Sequence, residues 1–203
     1  MPGIAAGSDG PMMSSVLISS VGLDELHGDT VAFAPGGPTS RRLARLLLEQ
    51  RYRVLARYVP GSSDPASVLR GADAAVYRDR TPAGPRVYDL AGPWREWTGL
   101  PFVFAVWAVR GEFAGCRPDA VAPAHRSLLA ARDLAGAENS ELAARTARWG
   151  DATTLERYFG AVDYSFGPRQ VAGLAEFAGP TGHRAPVTPS RGGGRTTPAG
   201  YGW

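Results

Sequence analysis

From Thr30 to about Asp89 the chain alternates short β-rich runs with stretches of helical spacing, and few architectures accommodate that order. Thr30-Val31-Ala32-Phe33 reads as a strand. The Ala34-Pro35-Gly36-Gly37-Pro38 that follows breaks it, Thr39-Ser40 offers an N-cap, and Leu43, Leu46, Leu47 and Tyr52 recur at helical spacing. Val54 to Val59 alternates like a strand. Asp64-Pro65 then opens a short helix through Leu69, with Asp as cap and Pro at the first helical position, and Ala74 to Tyr77 forms a further strand. Strand and helix in turn predict an α/β fold with a parallel layer.

Outside that layer the pattern changes. Ser15 to Ser19 is a short β-rich run, and Asp24 to Leu26 looks like one helical turn. The longest apolar run, Leu100 to Val109, reads as a buried strand. It closes a stretch, Trp94 to Trp107, that holds three of the five tryptophans. Trp94 and Trp97 belong to a short helix over the end of that strand, with Phe104 and Trp107 in the core. Residues 120–135, 137–150 and 151–160 are consecutive helical segments, followed by one over 168–177 that begins with Pro168. These helices need a sheet to cover, and the runs at 15–19 and 102–109 are expected to supply it as antiparallel strands crossing between two lobes. The tail from Gly179 to Trp203 is rich in Gly, Pro, Thr and Arg and is expected to be disordered.

The formal net charge is +3, and every one of the 22 basic residues is arginine. Many alternate with acids along helical segments, which argues against a nucleic-acid-binding stripe. No run approaches the length of a membrane span, and Met1 to Gly10 lacks the basic and apolar regions of a secretory signal, so a cytoplasmic location is the default. The lone Cys116 cannot form an internal disulfide, and no Cys/His spacing suits zinc. His27, His125 and His183 are isolated from any carboxylate or serine partner by motif.

Several longer pieces carry a family resemblance: "SDGPMMSSVLIS" (8–19), "TSRRLARLLL" (39–48), "ADAAV" (72–76), "DLAGPWREWTGLPFVFAVWAVR" (89–110) and "LERYFGAVDYSFGPRQVAGLAEFA" (155–178). With these the chain resembles the chorismate dehydratase family of the futalosine route to menaquinone. The resemblance implies a two-lobed, type II periplasmic-binding-protein-like fold over residues 1–178, with one lobe at about 29–90 and the other at about 1–28 and 100–178. It also implies that the first lobe is incomplete, because family members carry an opening stretch, with a substrate-holding asparagine, that precedes anything in this sequence. The family's Gly-Asp after the "ADAAV" strand reads Tyr77-Arg78-Asp79 here, and its Ser/Thr-rich loop reads Pro35-Gly36-Gly37-Pro38.

The implied substrate is the small molecule chorismate, which loses water to give 3-[(1-carboxyvinyl)oxy]benzoate. The reaction requires no cofactor and no metal. What it requires is hydroxyls, backbone N–H groups and a helix N-terminus aimed at carboxylates. The resemblance assigns Ser14 the catalytic position, facing the cleft beside the reacting ring, with Ser15 pointing the opposite way. Thr39 and Ser40, where the helix begins, offer a carboxylate cradle; ordinary N-capping is the alternative. Asp79, Thr98, Gly99 and Phe102 complete the expected substrate contacts. A non-catalytic carboxylate-binding relative or an inactive remnant are the competing readings.

Overall fold

The computed structural model describes residues 1–12, 14–62, 71–78, 86–146 and 151–179. Its strands are β1 (Ala5–Ser8), β2 (Ser15–Ser19), β3 (Thr30–Phe33), β4 (Arg57–Pro60), β5 (Ala74–Arg78), β6 (Arg86–Asp89) and β7 (Phe102–Val106). Its α-helices are α1 (Pro38–Leu46), α2 (Ala91–Thr98), α3 (Gly111–Cys116), α4 (Pro118–Ala137), α5 (Asn139–Arg145), α6 (Ala152–Ala161) and α7 (Pro168–Ala178). None is long and apolar enough, among the described residues, to cross a membrane.

The α/β class is as expected, but the layer is mixed rather than parallel. Five strands lie in the order β4-β3-β5-β2-β6; β3 runs parallel to β4 and β5, while β2 runs antiparallel to β5 and β6. The run at 15–19 therefore belongs to this large sheet, and it does not pair with the run at 102–106. Its composition explains the placement. Val16, Leu17 and Ile18 are apolar at both parities and all buried, so the strand needs cover on both faces and a partner on both edges.

The partner of β7 is β1, a strand the sequence hides because Ala5-Ala6-Gly7-Ser8 has no β-branched or aromatic side chain. On the far edge of β1, Gly7 exchanges backbone hydrogen bonds with Asp163 at 2.9 and 2.8 Å. Glycine is needed there, since a Cβ at Gly7 would stand 2.4 Å from the Phe102 carbonyl oxygen. The strand at 102–109 is also shorter and less buried than its composition predicts. It ends at Val106, which is 44% exposed.

One apolar cluster joins the two sheets. Leu17, Val31, Phe33 and Val76 from the large sheet meet Leu43, Ala44, Leu47 and Leu48 of α1 and its continuation, and the cluster extends to Leu90, Trp94 and Phe102. The opposite face of the sheet buries Val16, Ile18, Ala32 and Ala75. After Leu46 the helix widens into a π turn over Leu47–Arg51 and stops at Arg53, whose φ of 59° is left-handed. Helix α7 rests on β7 through Gly173, where a Cβ would lie 2.1 Å from the Pro101 carbonyl oxygen.

The helix expected at 64–69 and the tail from 180 onward lie outside the described residues, as do Asp79 and His183.

Candidate active site

Two connectors carry the chain between the sheets. Residues 9–14 lead from β1 to β2, and residues 90–101, which include α2, lead from β6 to β7. This topology replaces the expected pair of crossing strands, and it places Ser14 at the end of the first connector.

Ser14 is 8% exposed, and its hydroxyl has no hydrogen-bond partner among the described residues. Ser15, the next residue, is buried and its Oγ lies 2.8 Å from the Oγ of Ser40. The Ser15 hydroxyl thus meets Ser40, one of the residues expected to hold the substrate.

Ser40 stands in the first turn of α1, but not as a cap. Gly37, with φ 60° and ψ 54°, is the N-cap, Pro38 takes the first helical position, and no side chain caps the turn. Thr39 and Ser40 are thus second and third in the helix, two and three positions beyond the N-cap position that the sequence suggests for them. Helical geometry leaves their amides without an acceptor in the helix, and Pro38 has no N–H to offer. Gly37 adopts the left-handed backbone of this cap at little steric cost.

Thr98 and Gly99 are engaged in the fold. The Thr98 hydroxyl donates to the Trp94 carbonyl at 2.9 Å and accepts from the Leu100 N–H at 3.1 Å. Gly99, with φ 71°, ends α2 in a left-handed cap, its N–H donating to the Arg95 carbonyl. Phe102 is fully buried, with Trp94, Phe104 and Phe177 ring centroids 5.5, 4.7 and 4.9 Å away in edge-on contacts. It packs with these rings in the core cluster, where the sequence led us to expect a substrate contact. Phe104 is half-buried against the same cluster, and Trp107 is also half-buried.

The residues that sequence reasoning passed over are charged ones that fasten the connectors. Asp9 accepts from Arg95 Nε at 2.5 Å and from Arg169 Nη1 at 2.8 Å. Partial burial alone would raise the Asp9 pKa, but the hydrogen bonds and charges of Arg169 and Arg95 outweigh it and hold the carboxyl below its ordinary value. Asp89 accepts from Met12 N at 3.1 Å and Gly92 N at 2.7 Å, one on each carboxylate oxygen. An Asp three residues before Gly92 at a helix start is a capping signal that could have been read. An open hollow of about 300 Å³ lies elsewhere, against Ala32, Val59 to Ser62, Gly71 and Ala72, and none of the expected site residues lines it.

A family model described as menaquinone biosynthesis matches residues 1–181, which include every described residue. The chain belongs to the menaquinone biosynthesis family. In this member of the menaquinone biosynthesis family, the start of β2 and the start of α1 are brought together by two serine hydroxyls.

Proposed function

We propose that the chain is a chorismate dehydratase, a lyase that removes water from chorismate to form 3-[(1-carboxyvinyl)oxy]benzoate on the way to menaquinone. The observation that supports the reading is the Ser15–Ser40 contact, which ties the residue after Ser14 to the first turn of α1. Family membership supplies the pathway.

In this reading a substrate carboxylate lies against the Thr39 and Ser40 amides, where the positive end of the helix favours an anion. The Ser14 hydroxyl, which has no partner among the described residues, donates to the departing ring hydroxyl. That hydroxyl leaves with the electrons of its C–O bond. The electron pair of the neighbouring C–H bond enters the aromatic ring, and hydroxyl and proton together make the released water. Aromatisation drives the step, so orientation and charge stabilisation are what the protein contributes. The resemblance further supports a two-lobed, periplasmic-binding-protein-like arrangement. The two sheets would then be the cores of the lobes, with the substrate held where the connectors pass between them.

The test is direct. Purified protein incubated with chorismate should yield the enolpyruvyl benzoate, followed by its absorbance and by mass. Tight binding of chorismate without product would instead favour a carboxylate-binding relative, and neither binding nor turnover would overturn the reading.

A further inference from the structure

The connectors are fastened to one another as well as to the sheets. Asp89, the last residue of β6, spends one carboxylate oxygen on the Met12 N–H of the first connector and the other on the Gly92 N–H of α2. Gly92 lets the connector lie close on the helix, since a Cβ there would come within 3.2 Å of Pro11 Cγ and 3.4 Å of Asp89 Oδ1. The Leu90 N–H donates to the Ser15 carbonyl at 3.0 Å. On the last turn of α2, Arg95 reaches Asp9 at 2.5 Å, so the helix holds the connector near both of its ends. Ser8 Oγ adds a bond to the Gly10 carbonyl at 2.8 Å.

We propose that Asp89 is a positioning residue for the dehydration: by holding Met12 and Gly92 on its two oxygens, it fixes where the Ser14 hydroxyl stands. Asp89 does not touch the substrate. The inference rests on the proposed reading in which Ser14 assists the leaving hydroxyl. Its chemical basis is the need for two acceptors. A carboxylate satisfies two N–H groups at once, whereas an asparagine in the same place offers one oxygen and turns a competing N–H donor toward the other amide. The connector would then shift, and misplacement of a reacting group by about 1 Å costs on the order of 100-fold in rate.

The experiment is a double-substitution cycle in the full chain with Asp89→Asn and Ser14→Ala. Asp89→Asn is expected to lower kcat by roughly 100-fold with little change in KM. In the Ser14→Ala background the same substitution should cost no more than about twofold, because the group it positions is already gone. Amide hydrogen exchange should quicken at Met12 and Gly92 in the Asp89→Asn protein and stay slow at Leu17 and Ile18. If Asp89→Asn fails to fold, Asp89→Glu, which keeps both acceptor oxygens but moves them by one methylene, takes its place in the cycle. Losses that multiply, alongside an impaired Ser14→Ala protein, would overturn the positioning role alone, as would unchanged exchange at Met12 and Gly92. An inactive unsubstituted chain, or an unaffected Ser14→Ala protein, would overturn the dehydratase reading beneath it.

Discussion

The hydroxyls of Ser15 and Ser40 meet at 2.8 Å in the interior, joining the head of a strand to the first turn of a helix 25 residues later. Neither group has much access to water, so each depends on the other for its hydrogen bond. Ser40→Ala should therefore cost about 1–3 kcal/mol, the penalty for a buried hydroxyl left unpaired. Adding Ser15→Ala should cost far less than its effect alone, because the stranded partner is removed. Urea unfolding of the two single variants and the double variant checks this, and strictly additive losses would show that the contact contributes nothing.

Ser14 and Thr39 should separate kinetically. Ser14→Ala is expected to lower kcat/KM by about 2–3 kcal/mol of transition-state stabilisation, through kcat, if its hydroxyl assists the leaving group. Thr39→Ala should instead raise KM with kcat nearly intact, because a carboxylate held by the helix start is bound alike in substrate and transition state. Steady-state rates over a range of chorismate concentrations distinguish the two. A Thr39→Ala protein that loses kcat would place Thr39 at the reacting atoms.

Asp9 should give the protein an acid-sensitive tie. Its carboxyl is held below the ordinary value in the folded state, so its contribution is fully present above the unfolded carboxylate pKa of about 4 and fades as the pH falls through the folded value. Asp9 and Arg95 are each 37% exposed, so solvent screening keeps the effect small. Denaturation midpoints followed downward from about pH 5 should fall less steeply in Asp9→Asn than in the unsubstituted protein. Parallel curves would show that the two arginines do not stabilise the charged form.

Gly173→Ala offers a test by sign. Within a helix the change to alanine ordinarily stabilises by up to about 1 kcal/mol. Here the new methyl carbon would lie 2.1 Å from the Pro101 carbonyl oxygen, a backbone atom that cannot swing aside. Helix α7 must then lift from β7, and the variant should lose about 1–3 kcal/mol, as overpacked sites do. Thermal unfolding gives the sign; a rise in Tm would mean that α7 does not rest on the strand as described.

Much of this architecture is legible from local chemistry. The Val-Ala-Phe and Ala-Ala-Val runs declare strands, and Thr39-Ser40 before an arginine- and leucine-rich stretch declares a helix, because each signal is contained within a few residues. Pairing is not local. Val16, Leu17 and Ile18 announce that β2 is buried on both faces but not which strands flank it, and Ala5-Ala6-Gly7-Ser8 becomes a strand only because β7 and Asp163 offer partners. The site was legible to the same extent. Ser40 is found against Ser15, the neighbour of Ser14, whereas the Thr98 hydroxyl turned out to be committed to its own helix end, and Phe102 to an aromatic cluster completed by Phe177, 75 residues later. Asp89 escaped notice because its second partner, Met12, is distant in sequence.

The bridge between Gly7 and Asp163 also fixes an order of events while the chain is being made. Strands β2 to β6 lie within residues 15–89 and can find one another as soon as that portion has left the ribosome. β1 precedes them all, yet its first partner is β7 and its outer edge is closed only when residue 163 emerges. For most of synthesis β1 therefore presents unpaired backbone groups, and the small residues that hid it from view give this waiting strand little apolar surface with which to capture a wrong partner.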